Sequence, residues 1–254
     1  MTYCLAISVD AGMVFCSDSR TNAGIDQAST YSKMYRFGVE HRCQFVLLAA
    51  GNLATTQGVV AKIRRDIKQG VSANLLTAAS VSDAADYVGM LSVEQQEKNT
   101  GGGATFEASF ILGGQVAGSP HEATLIYPQG NHITTSMDTP FLQIGESKYG
   151  KPILDRILTL ATSLETAALC ALVSMDSTMR SNLTVGPPIE VQVYETDSLV
   201  LSPQRYHRFA EDSEFLRELK RSWDARLKEA FAKLPPVAWS FTWDRSPDGR
   251  NAAS

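Results

Sequence analysis

The chain of 254 residues lacks both a strong excess of charge and a long run of apolar residues. Lys and Arg total 23 against 27 Asp and Glu, which gives a formal net charge of −4. A chain without excess positive charge has little general attraction for phosphate backbones or acidic lipid surfaces. No apolar run approaches the roughly 20 residues that cross a bilayer. We therefore expect neither a nucleic-acid partner nor a membrane partner.

Histidine and cysteine are few, and their spacing matches none of the common metal-binding patterns. The sequence has four of each, and no two of them have the short spacing of zinc ligands. Cys4, Cys16, Cys43 and Cys170 stand singly in apolar or strand-like segments, as buried thiols do in a reducing compartment. The amino terminus reaches Asp10 without the basic start and apolar stretch of a secretory signal. The sequence predicts a cytoplasmic protein without a metal or other cofactor.

Apolar periodicity divides the chain into alternating blocks of strands and helices. Strand-like segments occur within 3–50, 105–144 and 189–202, and helical spacing occupies 55–68, 81–96 and 152–179. The order is strands, two helices, strands, two helices and strands. This order favours two antiparallel sheets that pack face to face and carry helices on their outer sides. We predict an α+β fold, a four-layer αββα sandwich.

The last fifty residues differ in composition from the rest. Apolar residues recur from Phe215 to Leu234 at i, i+4 spacing, opposite a face of Glu, Arg and Lys, and Pro235 ends the pattern. This predicts one extra amphipathic helix near the carboxyl terminus, whose apolar stripe either caps the core or contacts another subunit. We divide the chain into a domain over 1–204 and a helical extension with a tail over 205–254.

A candidate nucleophile stands at the second position. Removal of Met1 would leave Thr2 with a free α-amine beside its own hydroxyl, so that the nucleophile and its base would share one residue. An α-amine titrates near neutral pH, and its neutral form can accept the hydroxyl proton. Taken alone, a Thr after the first Met is weak evidence for catalysis.

The geometry of the first hairpin predicts charged residues near this Thr. If Ala11 centres the turn, Thr2 lies opposite Arg20, and Asp18 lies one diagonal step away, at about 7–8 Å. Lys33 in the next strand can fill that gap. Its ammonium would lower the pKa of the Thr2 hydroxyl, and Asp18 would keep the Lys charged and in place. The same two residues could instead form an ion pair with only a structural role.

Four runs in the first sixty residues resemble the proteasome β-subunit and HslV family of N-terminal nucleophile hydrolases. They are TYCLAIS, GMVFCSDSR, SKMYRF and FVLLAAGNLATTQ, and the likeness extends in order from Thr2 to about Tyr194. The resemblance implies the N-terminal nucleophile hydrolase fold with Thr2 as nucleophile and Asp18 and Lys33 as its charged partners. It also implies that the amide of Gly51 forms the oxyanion hole, as a donor aimed at developing charge.

Two stretches depart from the family pattern. Where the family has Ile-Gly-Ser-Gly, this chain has Ile144-Gly145-Glu146-Ser147, so Glu146 takes the serine position and Ser147 the following glycine position. Where proteasome subunits have Arg-Asp-x-x-Ser-Gly, this chain keeps a hydroxyl at Thr184 but has Ser181 in place of the carboxylate. On the resemblance, Ser147, Ser181 and Thr184 assist Thr2.

The resemblance also implies a substrate pocket. Its positions in this sequence are Thr21, Asn22, Tyr31, Tyr35, Ala49, Leu53 and Gln57, with the small Ala49 at the floor.

The resemblance implies a threonine peptidase that cleaves peptide or other amide bonds through a Thr2 acyl ester, in a homo-oligomer. The lack of a propeptide, the longer body and the added helix are similar to the bacterial Anbu branch of the family. Two alternatives stay open: a narrow amidase or amide-forming acyl transferase with the same nucleophile, and an assembly scaffold with a vestigial site, suggested by Glu146 and Ser181. The sequence assigns no regulatory ATPase.

Overall fold

Two five-stranded antiparallel sheets form the centre of the computed structural model, which describes residues 1–22, 28–98 and 106–236. The first sheet has the order β10 (Phe141–Gly145), β1 (Tyr3–Val9), β2 (Gly12–Ser17), β11 (Ile189–Glu195) and β12 (Tyr206–Phe209). The second sheet has the order β5 (Met34–Val39), β6 (Cys43–Gly51), β7 (Ala108–Val116), β8 (Glu122–Ile126) and β9 (His132–Thr134). A short ribbon pairs β3 (Arg20–Asn22) with β4 (Ala28–Thr30). The helices are α1 (Leu53–Gln69), α2 (Val81–Glu97), α3 (Lys151–Ile157), α4 (Leu164–Ser181) and α5 (Glu214–Ala232).

The strands bury both faces because alternate residues face different layers. In β1, Leu5 and Ile7 pack against α3 and α4, whereas Cys4 and Ala6 pack between the two sheets. The second sheet behaves in the same way and carries α1 and α2 on its outer face, where Phe45 is fully buried. The predicted four-layer αββα sandwich is therefore confirmed.

The register of the first hairpin differs by one residue from the prediction. Val9 pairs with Gly12, so the loop is the two-residue Asp10-Ala11. Gly12 has φ +140°, and a Cβ there would lie 2.1 Å from the carbonyl oxygen of Tyr194, so a glycine is needed directly after the loop. As a result Asp18 lies beside Tyr3, and the predicted pairing of Thr2 with Arg20 is wrong.

The last strand of the first sheet also differs from the prediction. Residues 199–202 form no strand, and β12 begins at Tyr206 instead. Leu199 has φ 48°, and its carbonyl oxygen accepts hydrogen bonds from His41 N at 3.1 Å and from Gln44 Nε2 at 3.0 Å. These bonds tie the segment to the loop between β5 and β6 and to β6 itself. β12 lies beyond residue 204, and the domain boundary there stays a prediction.

The predicted amphipathic helix is confirmed as α5, whose two halves have different surroundings. In its first half, Leu216 and Leu219 pack against the hydrophobic core cluster to which α4 contributes. At its middle, Asp224 binds Arg180 of α4, with 2.6 Å between Nη1 and Oδ1. Beyond this point, Phe231 is 75% exposed. Among the helices that the structure describes, none is long and apolar enough to cross a membrane.

Candidate active site

A cavity of about 360 Å³ lies where the start of β1 meets the end of β6 and the first turn of α1. It is lined by Met1, Thr2, Thr21, Lys33, Ala49, Ala50, Gly51, Leu53, Thr56 and Gly145. A second cavity of about 480 Å³ adjoins it and shares Ala50, Gly51 and Gly145 with its lining, and we call the two cavities together the cleft. A larger cavity, of about 580 Å³, surrounds His121 at the hairpin end of β1 and contains none of the predicted site residues.

A buried ion pair borders this cavity. Lys33 Nζ donates to Asp18 Oδ1 at 2.7 Å and to the carbonyl oxygen of Arg20 at 2.7 Å. The Asp18 carboxylate also accepts from Tyr3 N at 3.0 Å and from Gly186 N at 3.2 Å. Burial raises the pKa of Asp18, and the Lys33 ammonium and the two amides act against that rise. Removing either charge would leave the other buried without a counter-charge.

The strands hold this pair next to the residues that the prediction assigned to catalysis. Asp18 follows β2 directly, and its backbone N donates to Tyr3 O at 3.1 Å. Lys33 precedes β5, and its carbonyl oxygen accepts from Ala49 N at 3.0 Å. Since Ala49 stands two residues before Gly51 in β6, the sheet brings Lys33 and Gly51 to one wall of the cavity. Thr2 reaches the same cavity from the start of β1.

Two glycines allow the backbone to approach closely at this wall. Gly51 has φ +111°, and a Cβ there would lie 2.4 Å from the carbonyl oxygen of Glu107. Gly145 has φ +81°, and its Cβ would lie 2.0 Å from Thr2 O. Neither position accepts a larger residue without displacing backbone. The sequence analysis assigned Gly51 to the site but gave Gly145 no role, because its contact is with a residue 143 positions away.

Part of the predicted pocket lies at the cavity. Thr21, Ala49 and Leu53 line it, and so does Thr56, which sequence reasoning missed. Leu53 and Thr56 are three residues apart and share one face of α1. That helical spacing is a signal that could have found Thr56.

Three other predicted pocket residues do not line the cavity, and a fourth is not described there. Tyr31 is 42% exposed. Tyr35 packs against the core on the helix-covered face of the second sheet, because it alternates with Met34, which faces the interior. Gln57 is exposed on α1. Asn22 ends β3, and its side chain lies outside the part that the structure describes.

A chain of hydrogen bonds runs from one predicted hydroxyl to Thr2. Thr184 Oγ1 donates to Asn182 Oδ1 at 2.6 Å, and Asn182 Nδ2 donates to Glu146 Oε2 at 3.0 Å. Glu146 N donates to Thr2 O at 2.7 Å. Sequence reasoning did not select Asn182, and it noted Glu146 only as a departure. The acidic residue in place of a serine was the available signal.

The other two predicted hydroxyls lie differently. Ser181 is the last residue of α4 and is exposed. Ser147 is half-buried, and its carbonyl oxygen accepts from Gln143 Nε2 at 3.1 Å and from Lys151 N at 3.2 Å, at the start of α3.

The two packed sheets with paired outer helices, and a cleft at the start of β1, define a proteasome-like protein with the N-terminal nucleophile hydrolase fold. The solved structure of Anbu (ancestral beta-subunit) from Yersinia bercovieri is 42% identical, with 93% of this chain and 98% of that chain covered and a TM-score of 0.88. The helical assembly of the Anbu complex from Pseudomonas aeruginosa is 45% identical, with 94% and 99% covered and a TM-score of 0.89. Anbu from Hyphomicrobium sp. strain MC1 is 40% identical, with 93% and 99% covered and a TM-score of 0.86.

The chain belongs to the Anbu family of proteasome-like proteins, as the resemblance predicted. Comparisons with protein-family models and with curated proteins gave no match.

Proposed function

We propose that this protein is a threonine peptidase that hydrolyses peptide or other amide bonds through an acyl ester on Thr2. The observation that carries the proposal is the shared cavity: Thr2 lies in it with Lys33, which is paired to the buried Asp18, and with Gly51. Acyl transfer to a threonine needs the threonine hydroxyl as nucleophile, a cation held close to it, and a backbone N–H that can donate to the oxyanion.

The proposed reaction begins once Met1 has been removed. The neutral α-amine of Thr2 takes the proton of Oγ1, directly or through a water, and Oγ1 attacks the substrate carbonyl carbon. The Gly51 amide donates to the oxyanion, and the ammonium passes the proton to the leaving amine as the amide bond breaks. The α-amine then activates a water that hydrolyses the Thr2 ester. The Lys33 ammonium stabilises the deprotonated hydroxyl of Thr2, and Asp18 holds Lys33 in place.

The shape of the cleft supports a peptide as the substrate. The cavity around Thr2 adjoins the second cavity at Gly51 and Gly145, and the second cavity is bordered by Asn52 and Glu107. Two adjoining cavities offer more room than a single small amide fills, which favours an extended chain as the substrate. The small Ala49, with Thr21 and Leu53, would surround the substrate side chain next to the cleaved bond.

We further propose that the protein works as a homo-oligomer in the cytoplasm. The Pseudomonas aeruginosa relative is described as a helical assembly, and the second half of α5 presents an apolar stripe to the outside. The four cysteines, all within the described residues, are buried and unpaired, as is usual in a reducing compartment.

The test combines intact mass with two substitutions of the nucleophile. We expect the mature protein to lack Met1 and to react with a covalent probe directed at N-terminal threonines. Thr2→Ala should abolish both labelling and hydrolysis of a peptide library, whereas Thr2→Ser should retain part of each. The exposed Thr134 of β9 offers a control, because Thr134→Ala removes a hydroxyl far from the cleft. Active protein that keeps Met1, or equal turnover in Thr2→Ala, would refute the mechanism.

A further inference from the structure

Glu146 is a buried carboxylate beside the proposed nucleophile. Tyr3 pairs with Gly145 across β1 and β10, so the next pair outward is Thr2 with Glu146. The bond from Glu146 N to Thr2 O, at 2.7 Å, continues the ladder. Side chains of directly opposed residues share a face, with Cβ atoms about 4.5–5.5 Å apart. The register therefore places Glu146 opposite Thr2, one residue beyond the end of β10.

The charge of this carboxylate is balanced only in part by its neighbours. Glu146 is only 4% exposed. Its Oε2 accepts from the neutral amide of Asn182, and its Oε1 lies 3.8 Å from Lys148 Nζ, on a side chain that is 74% exposed. No other ion pair of Glu146 occurs among the described residues. A buried carboxylate whose partners are one neutral amide and an exposed lysine at 3.8 Å is only partly compensated.

The maturation step of the proposed function creates such a charge at the right place. When Met1 leaves, the nitrogen of Thr2 changes from an amide to an amine that can carry a proton. The carboxylate that the family resemblance would put at position 181 is absent, and Ser181 itself is exposed at the end of α4. Lys33 lines the same cavity as Thr2 but is already paired with Asp18, so Glu146 is the carboxylate left to face the new amine.

We propose that Glu146 is a positioning residue whose carboxylate binds the α-amine of mature Thr2. It holds the amine close to Oγ1 of the same residue and stabilises the ammonium that forms when the amine takes the hydroxyl proton. Asn182, itself held by Thr184 at 2.6 Å, orients the carboxylate. This inference rests on the proposed function only in requiring the removal of Met1.

The direct test measures the α-amine without relying on catalysis. Cyanate carbamylates neutral amines, so the rate at the Thr2 nitrogen, followed by mass spectrometry of the N-terminal peptide, titrates with the protonation of that amine. An opposite charge at this distance shifts a pKa by about 1–3. In the mature full-length protein, Glu146→Gln should therefore move the midpoint at least about one pH unit lower, with about tenfold faster reaction below the wild-type midpoint.

A matched control removes one negative charge from the following helix. Asp155 of α3 is exposed and pairs with Lys151, so Asp155→Asn should leave the midpoint unchanged. Glu146→Asp keeps the charge and should leave the midpoint close to the wild-type value, which separates loss of charge from loss of packing. Equal midpoints in the wild type and Glu146→Gln would overturn the proposal.

Activity gives an independent second readout. Glu146→Gln should lower kcat by about tenfold or more. In the pH profile of kcat/KM, its acidic limb should shift to lower pH by as many pH units as the carbamylation midpoint does. A purely structural role would not move that limb, so an unmoved limb would count against the proposal. A shifted amine titration in a protein without hydrolysis would support the role of Glu146 and refute the peptidase. Retention of Met1 in the intact mass would overturn both.

Discussion

At the scale of single residues, Lys33 and Asp18 form one unit. The Lys33 ammonium has two acceptors, Asp18 Oδ1 and Arg20 O, and the carboxylate has two further donors, the amides of Tyr3 and Gly186. Each charge is buried, so each depends on the other for a counter-charge and for its position. The proposed role of Lys33 at Thr2 is therefore inseparable from Asp18.

This dependence predicts that the effects of substitution do not add. Asp18→Asn and Lys33→Met should each lower the hydrolysis rate by at least about 100-fold. The double variant should be little slower than the worse single variant, because either change already disables the unit. Steady-state kinetics on folded protein would measure this, with melting temperatures to check folding. Losses that multiply would show that the two residues act separately.

A second prediction concerns the backbone contact at Gly145. Gly145→Ala should abolish activity, since its Cβ would lie 2.0 Å from Thr2 O and displace the nucleophile. Gly118 provides a control, because it has a similar φ of +83° but no atom within 4 Å of an added Cβ. Both alanines carry backbone strain of about 1–3 kcal/mol, so both should lower the melting temperature. Equal activity of the two variants would mean that the contact with Thr2 has no effect on catalysis.

At the scale of elements, α1 connects the cleft with the helical layer. Its start is capped by Asn52, whose side chain accepts from Ala54 N at 3.0 Å and from Thr55 N at 3.2 Å. This first turn carries Leu53 to the cavity. Towards the other end, the buried Asp66 accepts from Tyr87 Oη of α2 at 2.8 Å and pairs with Lys62. One carboxylate therefore links α1 to α2.

The contacts of Asp66 predict that the stability of the fold depends on pH. The hydrogen bond from Lys62 holds the pKa of Asp66 below its ordinary value, so the carboxylate stabilises the fold above its unfolded pKa and loses this effect as the pH falls through its folded pKa. Asp66→Asn should therefore lower the melting temperature at pH 7, and the difference from wild type should begin to shrink as the pH falls below about 4 and should be lost below the folded pKa of Asp66. The exposed pair of Asp155 with Lys151 offers a control in which the same substitution should change little. A difference that keeps its pH 7 size throughout acid titration would contradict this account.

At the scale of the whole molecule, α5 is packed at one end and open at the other. Leu216 and Leu219 lie against the core, whereas Leu227 is 51% and Phe231 is 75% exposed. A stripe of this kind is unusual on a surface that faces only water. We expect it to contact a second copy of the chain in the proposed oligomer.

The stripe predicts which substitutions reduce the size of the assembly. The pair Leu227→Ser and Phe231→Ser should lower the particle mass measured by light scattering while the circular dichroism stays that of a folded protein. The pair Lys228→Ser and Glu229→Ser changes neighbouring residues outside the apolar stripe and should leave the mass unchanged. An unchanged mass in the first pair would show that the second half of α5 takes no part in assembly.

The sequence by itself determined the layers and proposed the main candidate site residues. Alternation and helical spacing are local properties, and they predicted the sheets, the paired helices and α5 because burial requires the same period in any context. Thr2 was found from its place after Met1, and Lys33 and Gly51 from motifs within short runs.

Only the tertiary structure decided the contacts between distant segments. The hairpin register depends on how closely Gly12 approaches Tyr194 in β11, which no local pattern records. Glu146 reaches Asn182 across 36 residues, and Gly186 reaches Asp18 across 168. Such contacts depend on the order of the strands in the sheets. They also depend on which polar atoms still need a hydrogen-bond partner once the elements have packed. These properties exist only once the chain has folded.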